Sequence, residues 1–197
     1  MKQLLFCAII FVLCVDNNLS FAQIANDCPS IEYDLIFLKN LKKVEFKEQD
    51  NISDDDLALL LANCLGHSDP DVRDGISFEG LVALLRGGRV SDGGKHKLLS
   101  KCSSELKQEI PDGEGFLKPF AALCVAEIVR TDRIKPYLSP SERQELVKIG
   151  VDYLKSIIDY RGFDQKDGWR HGVAHTADLL MQLTLNDNIG VSQHKQI

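Results

Sequence analysis

The chain has 197 residues, 44% hydrophobic, 26% charged and 7% aromatic, the composition of one ordinary globular domain rather than a collagen-like, disordered or small disulfide-knot chain. Its 23 basic residues against 29 acidic ones give a net charge of −6, which argues against a general electrostatic grip on nucleic acid or on anionic lipid.

The amino terminus reads Met1, Lys2, an apolar run from Leu4 to Val15, and a polar stretch ending Ser20, Phe21, Ala22. Such a layout predicts a secretory signal peptide over residues 1–22, cleaved after Ala22. The apolar run is well short of the roughly 20 residues that a permanent membrane helix needs, so no span is expected in the mature chain. Residues 23–197 are then a single exported domain, periplasmic or secreted.

Export would place Cys28, Cys64, Cys102 and Cys124 where disulfides persist, and four cysteines allow three full pairings. Cys28 precedes the first predicted helix and Cys64 closes the second, so an antiparallel hairpin favours the Cys28–Cys64 pair. Cys102 and Cys124 fall inside apolar helical runs, where a reduced cysteine acts as a small hydrophobe.

Every strong periodicity in the mature chain is 3.6, which predicts an all-α fold. Residues 31–46 carry Ile31, Leu35, Leu38, Leu41 and Val44 on one stripe. Ser53 caps a second helix reaching Cys64 and ended by Gly66; Asp69 and Pro70 open a third. Glycines 87, 88, 93 and 94 bracket a loop before a fourth helix over 95–110. After a turn at 111–115 comes an almost wholly apolar fifth helix over 116–130, expected at the centre of the core. Ser139, Pro140, Ser141, Glu142 form a capping box that starts a sixth helix reaching Tyr160. A charged, glycine-containing loop over 161–168 precedes a seventh helix over 169–186, with Trp169, the only tryptophan, expected as a core anchor. The start of the third helix, Asp69 to Gly75, has the look of a HEAT-type repeat. Antiparallel hairpins stacked as a short HEAT or armadillo-like solenoid are therefore expected, with an irregular bundle as the alternative.

The seventh segment carries the chemistry. On a continuous helix His171, His175, Asp178 and Gln182 share one face, while Trp169, Val173, Ala177, Leu180 and Leu183 share the other. Two histidines four apart can hold zinc, with Asp178 orienting His175 and a third ligand from Asp164 or Asp167. Gly172 stands where a zincin has its glutamate, so that pattern is absent. A polar face joined by a His175–Asp178 pair is the plainer reading. Arg161 and Asp159, just upstream, can face the same stripe, although an arginine there also complements a helix terminus. Asp71, Arg73 and Asp74 suggest an ion pair between neighbouring hairpins.

Three stretches resemble the bacterial domain of unknown function 2785 family. They are Asp71 to Gly75, Pro119 to Leu123, and above all Asp159, Tyr160, Arg161, Gly162, Phe163, Asp164 followed by the run from Gly168 through Leu180. The resemblance spans residues 57–186 and implies an all-helical, HEAT-like fold and no activity. Family members continue with further helices after the histidine motif, and an uncovered solenoid end would favour self-association or a partner. The residues thus leave two functional readings. One is a non-catalytic interaction module using the His171, His175, Asp178 and Arg161 face for a protein or small-molecule ligand. The other is a zinc-dependent hydrolase built on His171 and His175.

Overall fold

The computed structural model describes Cys28 and residues 34–47, 49–109 and 112–197. The signal peptide expected over 1–22 lies outside the described residues. Helix α1 is Leu35–Lys43, with the Asp34 carboxylate accepting the Phe37 N–H as its cap. Its stripe is only partly as expected: Leu38 and Leu41 are buried, whereas Val44 is exposed. Helix α2, Asp54–Asn63, is capped by Ser53 and carries three aspartates in its first turn, a favourable match to the helix dipole.

Helix α3 covers 70–86 and is not uniform. Asp69 caps Pro70–Val72, a π-helical turn follows over Arg73–Phe78, and regular α-helix resumes over Glu79–Arg86. The wide turn swings Arg73, Gly75, Ile76 and Ser77 inward, and Ser77 Oγ donates to the Leu61 carbonyl on α2.

Helix α4, Asp92–Lys107, begins three residues earlier than the sequence suggests, because Ser91 Oγ accepts the Gly94 N–H. Gly93 and Gly94 therefore belong to its first turn rather than to the preceding loop. Helix α5 is Leu117–Ile134, the most enclosed element, with buried residues from Pro119 through Asp132. Phe116 offers no side-chain cap, and Asp112 takes over that role by accepting the N–H groups of Leu117 and Lys118. Helix α6, Pro140–Ser156, opens with the expected capping box and ends at Ile157, short of Tyr160.

The 157–171 segment is not a plain loop. Phe163–Asp164 (β1) pairs antiparallel with Gly168–Trp169 (β2) in a two-stranded hairpin. Helix α7 is Gly172–Thr184, three residues shorter at its start than expected, and a short helix α8 follows at Val191–His194.

The helices pack in a regular order. Sequential neighbours α2 and α3, α4 and α5, and α6 and α7 lie against each other; α2, α4 and α6 adjoin in one row, and α3, α5 and α7 in another. The most extensive interface is between α5 and α7, which explains why α5 can be apolar nearly all round. Among the described residues the buried charged groups are paired, whereas the buried Ser103 hydroxyl has no hydrogen-bond partner. Glu127 on α5 accepts a two-pronged bond from Arg86, at 2.8 and 2.5 Å. Asp132 is fully enclosed and binds Arg143, Asn186 and two backbone amides. Cys28 and Cys64 are joined as a disulfide with Cα atoms 5.0 Å apart, the pairing that the hairpin topology favours. No helix among the described residues is long and apolar enough to cross a membrane.

Candidate functional site

Arg73 is the place to begin, because a fully enclosed arginine must satisfy five N–H groups without water. It sits in the π-helical turn with Nε on Asp74 Oδ1 at 2.8 Å, Nη1 on the His67 and Ser68 carbonyls at 2.9 and 3.2 Å, and Nη2 on the Asp167 carbonyl at 2.8 Å. Its guanidinium lies 3.9 Å from the Phe116 ring centre, and Arg170 covers the same ring at 4.3 Å. Burial lowers the Arg73 pKa and raises that of Asp74, and in each case it outweighs the attraction between the two. The expected ion pair between neighbouring hairpins is not formed: Arg73 pairs with Asp74 on its own helix and reaches the β-hairpin segment only through the Asp167 carbonyl.

Arg170 completes the junction, donating from Nε to the Glu114 carbonyl at 2.9 Å and from Nη2 to Asp167 Oδ2 at 3.3 Å. Gly168 has φ +76°, and a Cβ there would lie 3.0 Å from Arg73 Nη2, so only glycine lets the hairpin approach this closely. At the next turn Gly115 has φ +83°, and its Cβ would meet Asp159 Oδ2 at 2.7 Å. Asp159 accepts from Arg161 Nε and Nη2 at 2.9 and 2.6 Å, and this pair closes over Gly115.

Of the predicted binding face, the structure brings two rings together and separates the rest. His171 is not in the helix; it sits ahead of it with φ 54°, and its carbonyl accepts the His175 N–H. His175 is buried, with its ring 5.0 Å edge-on from Phe120 and Nδ1 3.2 Å from the Pro119 carbonyl. Burial first, then the neighbouring His171 and Arg73, pull its pKa down to about 4, so the ring is neutral at neutral pH. The two imidazole centres are 5.7 Å apart. Asp178 is half-buried, and its carboxyl is raised by burial and by Glu127. The expected His175–Asp178 bond is replaced by the bond to Pro119. Arg161 turns to Asp159 and Glu114, away from the His175 ring.

The zinc reading loses its third ligand. Asp164 Oδ1 accepts the N–H groups of Lys166 and Asp167, while the Asp167 carboxylate is held by Arg170. Among the described residues no three His, Cys, Asp or Glu side chains gather to hold a metal ion. Trp169 is 44% exposed rather than a core anchor, stacked on His171 at 4.0 Å and flanked by Phe163 at 4.8 Å. The helix faces explain these differences. The inward side of α7 is Gly172, His175, Thr176, Leu179, Leu180 and Leu183, so Val173 and Ala177 point outward and His175 inward.

The concave feature of this region lies beside the junction. A groove of about 910 Å³ runs between the end of α4, the start of α5, α6 and the 157–172 segment. Its floor includes Leu106, Pro119, Ile149, Tyr153 and Ile157. Charges on its walls are largely neutralised in place: Lys107 with Glu145, Lys148 with Asp152, Arg161 with Asp159. The exception in polarity is Tyr153. It is 6% exposed, it faces the groove, and its hydroxyl has no hydrogen-bond partner among the described residues. The hydroxyl is 3.7 Å from where a Cβ on Gly172 would stand, beside the first turn of α7, which carries no side-chain cap. Burial, with Asp112 and Asp159 nearby, keeps the phenol protonated and a donor. No motif in the sequence points to this site, because its residues come from four separate segments.

No curated protein and no solved structure matches the chain. Residues 106–197, which hold α5 to α8 together with the hairpin and every residue lining the groove, match the model of the family described as Protein of unknown function (DUF2785). Through that region the chain is similar to this family.

Proposed function

We propose that the protein is an exported binding module, a short HEAT-like solenoid of three stacked hairpins, and that its ligand site is the groove headed by Tyr153. The two rows of helices support the solenoid reading, since each hairpin adjoins the next through both of its helices. The observation that carries the binding reading is the Tyr153 hydroxyl. The ring is nine-tenths buried and fixed in place, while the hydroxyl opens on the groove with no acceptor among the described residues, so it stands as a donor for an acceptor on a ligand. The groove volume is of the size that encloses a small molecule, with an apolar floor and charged walls. Because the wall charges are already paired, the fitting ligand is amphipathic and uncharged overall, with an oxygen acceptor for Tyr153 and the uncapped amides of α7.

Dansylamide has this chemistry: a neutral aromatic body and sulfonyl oxygens. Its fluorescence is expected to rise in a saturable one-site fashion with the folded protein. Tyr153→Phe, which removes one oxygen, is expected to weaken that binding about fivefold to tenfold, the size of one hydrogen bond, with little change in melting temperature. Equal affinity for both proteins, or no saturable binding, sinks the reading.

Export is supported by the leader composition at 1–22 and by the Cys28–Cys64 disulfide. Expressed in a secreting host, the protein is expected to be recovered outside the cytosol beginning at Gln23, as intact mass would show. Recovery only in the cytosol with residues 1–22 attached would count against it.

A further inference from the structure

Cys102 and Cys124 have no part in the binding reading, yet they are the most closely juxtaposed reactive groups among the described residues. Cys102 lies on the inner face of α4 and Cys124 in the middle of α5, and both are buried. Their sulfurs are 2.7 Å apart, closer than two unbonded sulfur atoms rest, and neither thiol has another hydrogen-bond partner among the described residues. The sulfurs therefore need to approach by less than about 1 Å to reach the length of a disulfide bond. The two sulfurs are not equivalent. Cys102 borders a second cavity of about 230 Å³, lined also by Asn63, Lys101, Glu105 and Gln108, whereas Cys124 is sealed behind it. Burial, together with Cys102 itself, raises the Cys124 thiol well above its ordinary pKa.

We infer that Cys102 and Cys124 are a second disulfide site, formed by exchange with a small-molecule disulfide that enters through the cavity at Cys102. The Cys102 thiolate attacks one sulfur of the oxidant, RSSR; the old S–S bond breaks and the first RS⁻ leaves. Cys124, giving up its proton, then displaces the second RS⁻ from Cys102. The two cysteine protons end on two RSH, so the chain is oxidised by two electrons and one RSSR is reduced to two thiols. The new bond staples α4 to α5 about one helical turn from Leu106 and from Pro119, which floor the groove.

Purified full-length protein is incubated with oxidised glutathione, denatured in iodoacetamide and digested with trypsin. The expected product is the peptide from Cys102 to Lys107 linked to the one containing Cys124, with no carbamidomethyl on either cysteine. The same link is expected in a Cys28→Ser, Cys64→Ser double variant, which shows independence from the first disulfide. Oxidised protein is expected to melt roughly 6–12 °C above the form reduced only at this pair, the range for closing a loop of this size in a domain of this length. Carbamidomethyl on both cysteines after oxidation, or a glutathione adduct on Cys102 that never resolves, overturns the inference. So does a Cys124→Ser protein that melts with the oxidised wild type.

Discussion

Replacing Arg73 with alanine is expected to destabilise the protein by about 4 kcal/mol, in the range for removing one member of a buried, hydrogen-bonded charge pair. Three carbonyls, of His67, Ser68 and Asp167, lose their donor, and the Asp74 carboxyl loses its counter-charge in a site whose burial already raises its pKa. Phe116 also loses one of the two guanidiniums that cover it. The damage has a direction. Arg73 is the side chain that holds α3 to the hairpin, so the 159–171 segment should gain hydrogen exchange before the helices do. Lysine at this position restores the charge but not the planar fork, and is expected to recover less than half of the loss. Urea melts combined with exchange mass spectrometry read both effects. A loss below 1 kcal/mol, or exchange that rises uniformly across the chain, would remove Arg73 from this role.

Much of the helical frame is legible locally. Ser53, Asp69 with Pro70, and Ser139 with Pro140 each announce a helix by offering an oxygen to orphan amides, and each does so in the structure. The apolar stretch of α5 likewise ends up at the centre. What the sequence misplaces is decided at long range. Arg73 and Asp167 meet across 94 residues, and the two-residue strands they support have no periodicity to detect. The π-helical turn in α3 inserts an irregularity that a 3.6-residue pattern cannot register.

The histidine helix was ambiguous for a specific reason. Val173, Ala177 and Met181 make one apolar side, and Leu179, Leu180 and Leu183 another, so periodicity alone does not choose between them. Counting histidine as polar tips the choice outward. In the fold a neutral His175, bonded to the Pro119 carbonyl and packed on Phe120, is as good a core residue as an aliphatic one. Trp169 errs in the opposite direction, since the hairpin gives it His171 and Phe163 as stacking partners while leaving it half in water. The Tyr153 groove is assembled from four segments, none of which carries a recognisable spacing.

Asp132→Asn is expected to cost about 3 kcal/mol at neutral pH, and the cost should disappear in acid. Asp132 is fully enclosed, binds Arg143 at 2.7 and 2.9 Å, accepts the N–H groups of Tyr137 and Leu138, and receives Asn186 Nδ2 at 2.8 Å. One carboxylate thereby joins the end of α5, the start of α6 and the chain leaving α7. Asparagine keeps the shape but leaves the Arg143 charge enclosed without a counter-ion, which is the costly way to break such a pair. Burial by itself pushes the carboxyl of Asp132 up, but the bonds from Arg143, the two amides and Asn186 overcome it and hold the pKa below the usual range. A carboxyl depressed by folding stabilises the native state above its unfolded pKa of about 3.9 and loses that contribution as pH falls through the lower folded value. Wild type and Asp132→Asn should therefore differ by a constant amount from pH 7 to about pH 5, with the difference shrinking from about pH 4 downward and closing only below the depressed folded pKa. Urea melts across that range test it, and a difference that stays constant to pH 3 would show that the charge on Asp132 is not what holds this corner together.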